Sequence, residues 1–316
     1  MPILVTGGKG FIGREVVKRL WERGDEVVVM SRRPSHFPRE MKDRVKAVSG
    51  DIREFSDVMR VVRDFQIDRI IHMVAVLTSA GEENPLAALQ TNVLGMGNIF
   101  EAARIGGAKR IIFCSSVTVF GPQEVYGDRL LADEEILKNS ALVYGATKAL
   151  GEFMALKFEK RYGIEIPVLR IAPVYGRGRE EWGGTAWTSQ VVSAAVRGES
   201  VRIPLPSDQL GCFIYLDDVA EQLVRLCWVE KLNYRVYNSG GQTSTPGDFG
   251  RIIKKYYPEA DIQFDEDAPR WPYAYQIDGA RLAREINFQF RDLESGLWEQ
   301  INQERSSLGQ EALKRR

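Results

Sequence analysis

The amino-acid sequence predicts an α/β fold, a doubly wound parallel sheet with a small C-terminal α/β lobe. Short apolar runs alternate with amphipathic stretches of helical length along the first two thirds of the chain. The runs are apolar at consecutive positions, which is typical of strands buried on both faces of a parallel sheet. No repeat or low-complexity segment divides the 316 residues. Such alternation requires right-handed crossovers between parallel strands.

The first predicted strand leads into a glycine-rich loop. Glycines follow it at every third position, and an amphipathic run from Arg14 to Arg23 comes next. One glycine allows a tight turn at positive φ, one lets the backbone approach a pyrophosphate, and one lets the helix pack on the strand. The start of that helix offers free N–H groups to an anion, so this context predicts dinucleotide binding. The loop residues predicted to hold the dinucleotide are Gly7, Lys9, Gly10, Phe11, Ile12 and Gly13.

The end of the second predicted strand, Glu26–Met30, indicates which dinucleotide is preferred. An acidic residue there would bind the ribose hydroxyls of NAD, but this chain has Ser31, Arg32 and Arg33. A guanidinium at this place suits a 2′-phosphate, and Lys9 supplies a further cation. The sequence therefore favours NADP over NAD. The alternative is that both arginines are ordinary solvated loop charges.

The next elements continue the alternation. A strand at Val45–Val48 leads to Asp51 and Ile52, where a contact with adenine is predicted at the switch point of the sheet. A helix is predicted over Phe55–Phe65, and Arg69–Val74 is the following apolar run. His72 lies within that run, and a lone histidine in an apolar strand is more often a hydrogen-bonded core residue than a ligand.

A tyrosine and a lysine lie one helical turn apart later in the chain. The fifth predicted strand, Lys109–Cys114, ends in two serines. A helix is predicted over Ser140–Tyr162, with its first residue as N-cap and Gly163 as C-cap. Tyr144 and Lys148 lie on one face of this helix, so both can reach one point in space. Their place after a glycine loop and a serine-ended strand predicts catalysis rather than a solvated pair.

Composition argues against several classes of partner. Lysine plus arginine number 43 and aspartate plus glutamate number 43, so no net charge draws the protein to nucleic acid or membrane. Cys114, Cys212 and Cys227 are scattered and show no CxxC pairing, which predicts a reducing compartment and no metal site. The first residues already form a predicted strand, so we expect no leader peptide and a cytoplasmic protein.

Together these motifs resemble the extended short-chain dehydrogenases, the NAD-dependent epimerase/dehydratase family. The resemblance covers nearly the whole chain and is specific to the superfamily rather than to a substrate. It implies a Rossmann region over residues 1–176 and a substrate lobe over 177–316, with residues 212–238 returning to the core. The motifs are Thr6–Gly13, Asp51-Ile52, Ser116 before Phe120-Gly121, Tyr144 with Lys148, Leu169–Gly176 and Phe213–Ala220.

The resemblance implies a mechanism. Tyr144 would be the general acid/base, and Lys148 would lower its pKa from about 10 and hold the nicotinamide ribose. Ser116 would bind the substrate oxygen and stabilise charge on it during hydride transfer. The other residues that the resemblance places at the cofactor are Val74, Ala75, Asn92 and Pro173.

Departures from the family pattern bear on the substrate. Dehydratases of the family carry Asp-Glu where this chain has Val117-Thr118, so dehydration lacks its acid and base. Nucleotide-sugar epimerases usually carry asparagine at Pro173 and arginine near Gly211, whereas Arg270 does resemble an arginine of their diphosphate clamp. A nucleotide sugar is therefore disfavoured. The residues predicted to contact the substrate are Ser116, Trp182, Arg270 and Trp271.

The lobe is rich in aromatic residues, which have two interpretations. They form either an apolar wall for a hydrophobic substrate or the packing core of a small lobe. The lobe is predicted to contain a helix at about Trp187–Arg197 and another that starts at Thr245-Pro246.

Three functions follow, in order of preference. The first is an NADP-preferring oxidoreductase for a secondary alcohol, the second an epimerase with retained cofactor, and the third a non-catalytic dinucleotide sensor. The partner is a small-molecule substrate. By family resemblance, a homodimer is expected through the helices predicted at Leu86–Ile105 and Ser140–Tyr162.

Overall fold

The computed structural model describes residues 1–34, 37–132, 140–179 and 183–315. Twelve named strands lie within these ranges. They are β1 (Ile3–Thr6), β2 (Val27–Ser31), β3 (Val45–Ser49), β4 (Arg69–His72), β5 (Arg110–Ser116), β6 (Val168–Ile171), β7 (Val174–Tyr175), β8 (Val201–Ile203), β9 (Gly211–Tyr215), β10 (Val236–Asn238), β11 (Gln242–Ser244) and β12 (Ile262–Phe264).

Eleven named α-helices lie within the same ranges. They are α1 (Phe11–Glu22), α2 (Phe55–Asp64), α3 (Thr78–Glu83), α4 (Pro85–Ala88), α5 (Gly95–Gly106), α6 (Val143–Tyr162), α7 (Trp187–Arg197), α8 (Leu216–Trp228), α9 (Pro246–Tyr256), α10 (Ala280–Glu285) and α11 (Leu293–Ser307). A π-helical segment, Leu89–Leu94, joins α4 to α5, so the helix predicted over Leu86–Ile105 is one helical stretch with a widened middle. None of the helices described here has the length and apolarity needed to cross a bilayer.

A seven-stranded parallel sheet forms the centre, in the order β10-β6-β5-β4-β1-β2-β3. The predicted doubly wound parallel sheet is thus confirmed. The strand order reverses between β1 and β4, which opens a crevice at the carboxyl ends of these two strands. Ligands of open α/β sheets bind in such a crevice.

The apolar runs of the sequence reflect burial on both faces of this sheet. Ile3 and Val5 face a core shared with α1 and α8, whereas Leu4 faces a second core shared with α2 and α5. Because successive side chains of a strand point to opposite faces, a strand buried on both faces needs apolar residues throughout.

The lobe is built around two small sheets, β11-β9-β7 and β12-β8. Its core is aromatic: Phe213 contacts Trp187 and Phe249 at ring-centroid distances of 5.8 and 5.0 Å. Residues 212–238 were predicted to return to the Rossmann region. Within them, α8 packs on α1 and β10 joins the large sheet, whereas β9 belongs to the small sheet β11-β9-β7. A division of the chain at residue 176 stays a prediction.

The predictions for the bounds of α7, the C-cap of α6 and the start of α9 agree with the structure, whereas the predicted N-cap of α6 does not. Helix α7 has the predicted bounds, Gly163 caps α6 at φ +75°, and Thr245 forms a capping box with Asp248. Ser140 is not the N-cap of α6, because Leu142 takes that place. The Ser140 hydroxyl instead donates to the Leu142 carbonyl and accepts from its N–H, which closes a turn before the helix.

Candidate active site

The glycine loop between β1 and α1 is tightly closed. Gly7 has φ +78°, and the Gly10 N–H donates to the Gly7 carbonyl at 2.9 Å. A Cβ on Gly13 would lie 2.0 Å from that same carbonyl oxygen, so only glycine fits there. Gly10 is the N-cap of α1, and no side chain caps the helix. Its first N–H groups are therefore available to an anion such as a pyrophosphate.

The end of β2 carries the residues predicted to choose the cofactor. Ser31 closes the strand, and its hydroxyl is buried with no hydrogen-bond partner among the described residues. Arg32 and Arg33 are exposed beside it, and the Lys9 ammonium donates to the Arg33 carbonyl at 3.4 Å. Three cations and an unsatisfied hydroxyl at one strand end fit a phosphorylated ribose.

Asp51 and Ile52 follow β3. The Arg53 guanidinium donates to both carboxylate oxygens of Asp51, at 2.6 and 3.0 Å for Oδ2 and 3.1 Å for Oδ1. These hydrogen bonds hold the pKa of Asp51 below its ordinary value. Ile52 is buried in the core against Gly95. The side chains predicted to contact adenine are thus largely engaged by the protein itself.

Val74 and Ala75 follow β4 beside the glycine loop. A Cβ on the first glycine of that loop would lie 3.2 Å from the Val74 nitrogen. Asn92, on the π-helical segment, accepts from the Val76 N–H at 2.7 Å and donates to the Val76 carbonyl at 2.9 Å and the Thr147 hydroxyl at 3.1 Å. Both N–H bonds of its amide are therefore used within the protein.

Ser116, Tyr144 and Lys148 converge where β5 ends and α6 begins, and all three are buried. The Lys148 ammonium donates to the Cys114 carbonyl at 2.7 Å and lies 5.6 Å from the centre of the Tyr144 ring. The Ser116 hydroxyl oxygen accepts from the Thr118 N–H at 3.2 Å, and the Ser116 side chain acts to lower the pKa of Tyr144. The three side chains thus lie in one region of the fold, and their joint role in catalysis stays a prediction.

Close packing sets the position of α6 on this strand. A Cβ on Gly145 would lie 2.6 Å from the Thr118 carbonyl oxygen and 2.0 Å from the Ser140 hydroxyl. The helix can approach the end of β5 only because residue 145 has no side chain. The Thr147 hydroxyl donates to the Tyr144 carbonyl at 2.7 Å, which ties the first turn together.

Burial governs the ionisation of the trio. It raises the pKa of Tyr144 to about 12, and the Ser116 hydrogen bond and the charge on Arg179 oppose this rise. Burial also lowers the pKa of Lys148 to about 8, against the charge on Glu152. In the protein chain by itself, the tyrosine is therefore a neutral phenol near neutral pH, and the predicted depression of its pKa is not present.

Of the residues predicted to contact the substrate, Arg270 and Trp271 are consecutive residues of the lobe, and Ser116 ends β5. Arg270 donates to the carboxylate of Asp208 at 2.8 and 2.9 Å, and both side chains are exposed, at 59% and 69%. The Trp271 ring packs 5.9 Å from Phe213 and stacks at 5.1 Å on Tyr273. Trp182 lies outside the described residues. Pro173 lies between β6 and β7, and its carbonyl accepts from the Ile214 N–H of β9 at 3.0 Å.

Arg179 was missed by sequence reasoning. Its guanidinium lies 5.4 Å from the centre of the Phe11 ring, and its charge acts on Tyr144 and Tyr273. The signal in the sequence is the run Gly176-Arg177-Gly178-Arg179, which places two cations beside glycines directly after a strand.

Comparison with known proteins agrees with this geometry. The model of the NAD-dependent epimerase/dehydratase family matches residues 3–240, which include the glycine loop and the trio. The putative UDP-glucose 4-epimerase of Methanocaldococcus jannaschii is 30% identical over 257 residues, covering 80% of this chain and 81% of that protein. The mitochondrial L-threonine 3-dehydrogenase of Bos taurus is 25% identical over 291 residues, with coverage of 88% and 76%.

A solved structure extends the likeness to three dimensions. The UDP-glucose 4-epimerase of Thermus thermophilus, in complex with NAD, superposes with a TM-score of 0.83 at 25% identity, and covers 97% of this chain and 100% of that one. The resemblance found in the sequence is confirmed by these matches. The chain belongs to the NAD-dependent epimerase/dehydratase family and is an NAD(P)-binding enzyme of the short-chain dehydrogenase type.

Proposed function

We propose that this enzyme is an NADP-preferring oxidoreductase that interconverts a secondary alcohol and a ketone by hydride transfer. The observation that carries this proposal is the convergence of Ser116, Tyr144 and Lys148 at the end of β5. They adjoin the crevice in which the glycine loop would hold a dinucleotide. When bound, the nicotinamide supplies the hydride acceptor or donor.

The chain's own residues would handle the proton. In reduction, the neutral phenol of Tyr144 donates its proton to the substrate oxygen, while the Ser116 hydroxyl stabilises charge that develops there. In oxidation, the substrate hydroxyl returns a proton to the Tyr144 oxygen. The Lys148 ammonium and the Arg179 guanidinium are the cations that favour the phenolate, and Asn92 acts at a distance by fixing the backbone of Val76.

The role of Tyr144 is tested by Tyr144→Phe. We expect turnover to fall about 1000-fold, the contribution of a positioned general acid. Cofactor affinity should change less than twofold, because the phenol does not carry the dinucleotide. Turnover is measured by cofactor absorbance with whichever of L-threonine and short 3-hydroxy acids the wild type converts. Tyr162→Phe, on the exposed end of the same helix, is the matched control; retained turnover in Tyr144→Phe would overturn the role.

Cofactor choice rests on the cluster Lys9, Ser31, Arg32 and Arg33. In a fluorescence titration NADPH should bind clearly more tightly than NADH. The double variant Arg32→Ala/Arg33→Ala should lose at least tenfold in NADPH affinity, since each charge-assisted hydrogen bond contributes about 1.5 to 3 kcal/mol. NADH affinity of the same variant is the internal control. Equal affinities in the wild type would show that these arginines are solvated loop charges.

An epimerase is the second candidate, and the 30% identity to a putative UDP-glucose 4-epimerase favours it. Pro173 and Gly211 stand where the family's diphosphate-binding side chains are expected, which weighs against it. The two functions differ in cofactor use. An epimerase purifies with cofactor bound and consumes none, whereas a dehydrogenase turns over added cofactor in step with substrate. Mass spectrometry of the purified protein, followed by a cofactor-consumption assay, separates them.

Assembly as a homodimer is part of the same proposal. Large apolar side chains are exposed along the π-helical segment and along α6, and the two stretches are neighbours in the fold. They are Leu89, Leu94, Leu150, Phe153 and Leu156. A second copy of the chain would cover this face, and sedimentation equilibrium tests it.

A further inference from the structure

Helix α6, which carries the proposed proton donor Tyr144, has no side-chain cap of its own. Its N-cap is Leu142, whose side chain cannot accept a hydrogen bond, and its first turn contains no acidic residue. The first N–H groups of a helix have no partner within the helix. An acceptor for the start of α6 therefore has to come from outside the helix.

Glu82 supplies this acceptor. It lies on α3, and its carboxylate accepts from the Val143 N–H at 2.6 Å. Val143 is the first residue of α6, and the next residue is Tyr144. A hydrogen bond to a carboxylate is charge-assisted, and a negative charge at the start of a helix also interacts favourably with the helix dipole. The carboxylate thus holds the backbone directly before the tyrosine.

Helix α3 lies against the same turn of α6. A Cβ on Gly81 would lie 3.9 Å from the Tyr144 nitrogen, which is ordinary van der Waals contact. The chain just before α3 is bound to this turn as well, because the Asn92 side chain holds the backbone of Val76 and also donates to the Thr147 hydroxyl. The segment from Val76 to α3 is therefore anchored to α6 at both ends, and the carboxylate is its second anchor.

We propose that Glu82 is a positioning residue. Through the Val143 N–H it holds the first turn of α6 where the Tyr144 phenol can exchange a proton with the substrate oxygen. After the tyrosine, the Thr147 hydroxyl donates to the Tyr144 carbonyl at 2.7 Å, so the backbone is fixed on both sides of this residue. Glu82 is exposed, so its replacement should leave the cores intact. This inference rests on the proposed function for the role of Tyr144.

Two substitutions separate the hydrogen bond from the charge. Glu82→Ala removes both, whereas Glu82→Gln keeps an oxygen that can accept from Val143. In Glu82→Ala we expect kcat to fall about tenfold, less than the roughly 100-fold loss that a misplacement of about 1 Å causes. KM and NADP affinity should change less than twofold. Glu82→Gln should keep at least half of the wild-type kcat.

The kinetics are measured with whichever of L-threonine and short 3-hydroxy acids the wild type converts. NADP affinity is measured by fluorescence titration. Glu83→Ala, at the exposed neighbouring residue of α3, is the matched control and should keep the wild-type kcat.

The position of the tyrosine is also measured without turnover. The protein is prepared with 3-fluorotyrosine, and the fluorine NMR resonance of Tyr144 is identified by its absence from Tyr144→Phe. The resonance should shift in Glu82→Ala and stay in place in Glu82→Gln and Glu83→Ala. Urea denaturation of the same variants reports their stability separately from this local change.

The outcomes distinguish this inference from the proposed function. An unmoved resonance or a wild-type kcat in Glu82→Ala overturns the positioning role, whatever the variant's stability. Equal losses in Glu82→Gln and Glu82→Ala also overturn it, because the charge rather than the hydrogen bond would then be the cause. Retained turnover in Tyr144→Phe would instead overturn the proposed function, and the resonance in Glu82→Ala would still show whether the carboxylate sets the place of this side chain.

Discussion

Two ion pairs, one beside the large sheet and one in the lobe, differ in their burial. Beside the sheet, Arg170 and Glu152 form an ion pair that is 2% and 0% exposed, with Nη2 and Oε2 at 2.9 Å. In the lobe, Arg270 and Asp208 form a pair of similar length that is largely exposed. Arg170 and Glu152 are therefore fixed within the fold and shielded from water, whereas Arg270 and Asp208 lie in solvent.

The largest expected effect comes from breaking the buried pair. Arg170 also lies 4.8 Å from the Phe120 ring, and the Ser115 hydroxyl donates to Glu152 at 2.6 Å. Arg170→Met leaves the Glu152 carboxylate buried without its counter-charge. We expect a loss of about 3 to 5 kcal/mol in the free energy of unfolding, measured by urea denaturation.

The double variant Arg170→Met/Glu152→Leu is the control for that experiment. Removing both charges removes the cost of burying them, so much of the lost stability should return. If Arg170→Met alone loses under 1 kcal/mol, water reaches Glu152, and the two ion pairs do not differ in their contribution to stability.

A smaller effect is expected from a buried histidine of the sheet. His72 ends β4, and its Nδ1 is hydrogen-bonded to the Thr6 hydroxyl at 2.7 Å. Burial lowers its pKa to about 3, and the charge on Lys148 adds to this. Below pH 6.5 the unfolded chain binds a proton that the folded chain refuses, so stability falls as the pH drops from 6.5 towards 3. At pH 4.5 this contribution is about 2 to 3 kcal/mol.

His72→Asn tests this linkage. The amide can keep a hydrogen bond to Thr6 but does not titrate. Between pH 7 and pH 4.5 the variant should therefore lose about 2 to 3 kcal/mol less stability than the wild type. Chemical denaturation of both proteins at the two pH values measures it, and acidic groups elsewhere cancel in the difference. Equal losses in both proteins would show that His72 is hydrated or already charged.

The features that the sequence predicted are those set by local patterns of residues. The glycine loop and the Tyr144–Lys148 spacing are local patterns, and the strand ends bring them together because parallel strands share one edge. The contact of Arg179 with Phe11 was not predicted, since it joins residues that are far apart in the chain, although the basic run that contains Arg179 is visible in the sequence. The predicted N-cap of α6, Ser140, was wrong by two residues because the Ser140 hydroxyl bonds within its own turn and Leu142 takes the cap position.

The role of the aromatic residues in the lobe could not be predicted from the sequence either. Composition allowed either a substrate wall or a packing core. Trp271 contacts both Phe213, which belongs to the core, and Tyr273, which lies within the field of Arg179. These contacts support packing for Trp271, and its contact with a substrate stays a prediction.

The smallest expected effect on stability is at the exposed pair of the lobe. Arg270→Ala should cost only about 0.2 to 1 kcal/mol, because solvent screens the pair and ordering both side chains opposes their attraction. If Arg270 leaves Asp208 to bind an anionic substrate, the same variant should raise KM at least tenfold with kcat little changed, as expected for lost ground-state binding. Asp208→Asn is the counterpart: it frees Arg270 and should lower KM or leave it unchanged. A variant Arg270→Ala that loses several kcal/mol of stability would show that this pair is structural like Arg170–Glu152, and one with unchanged KM would show that Arg270 does not bind the substrate.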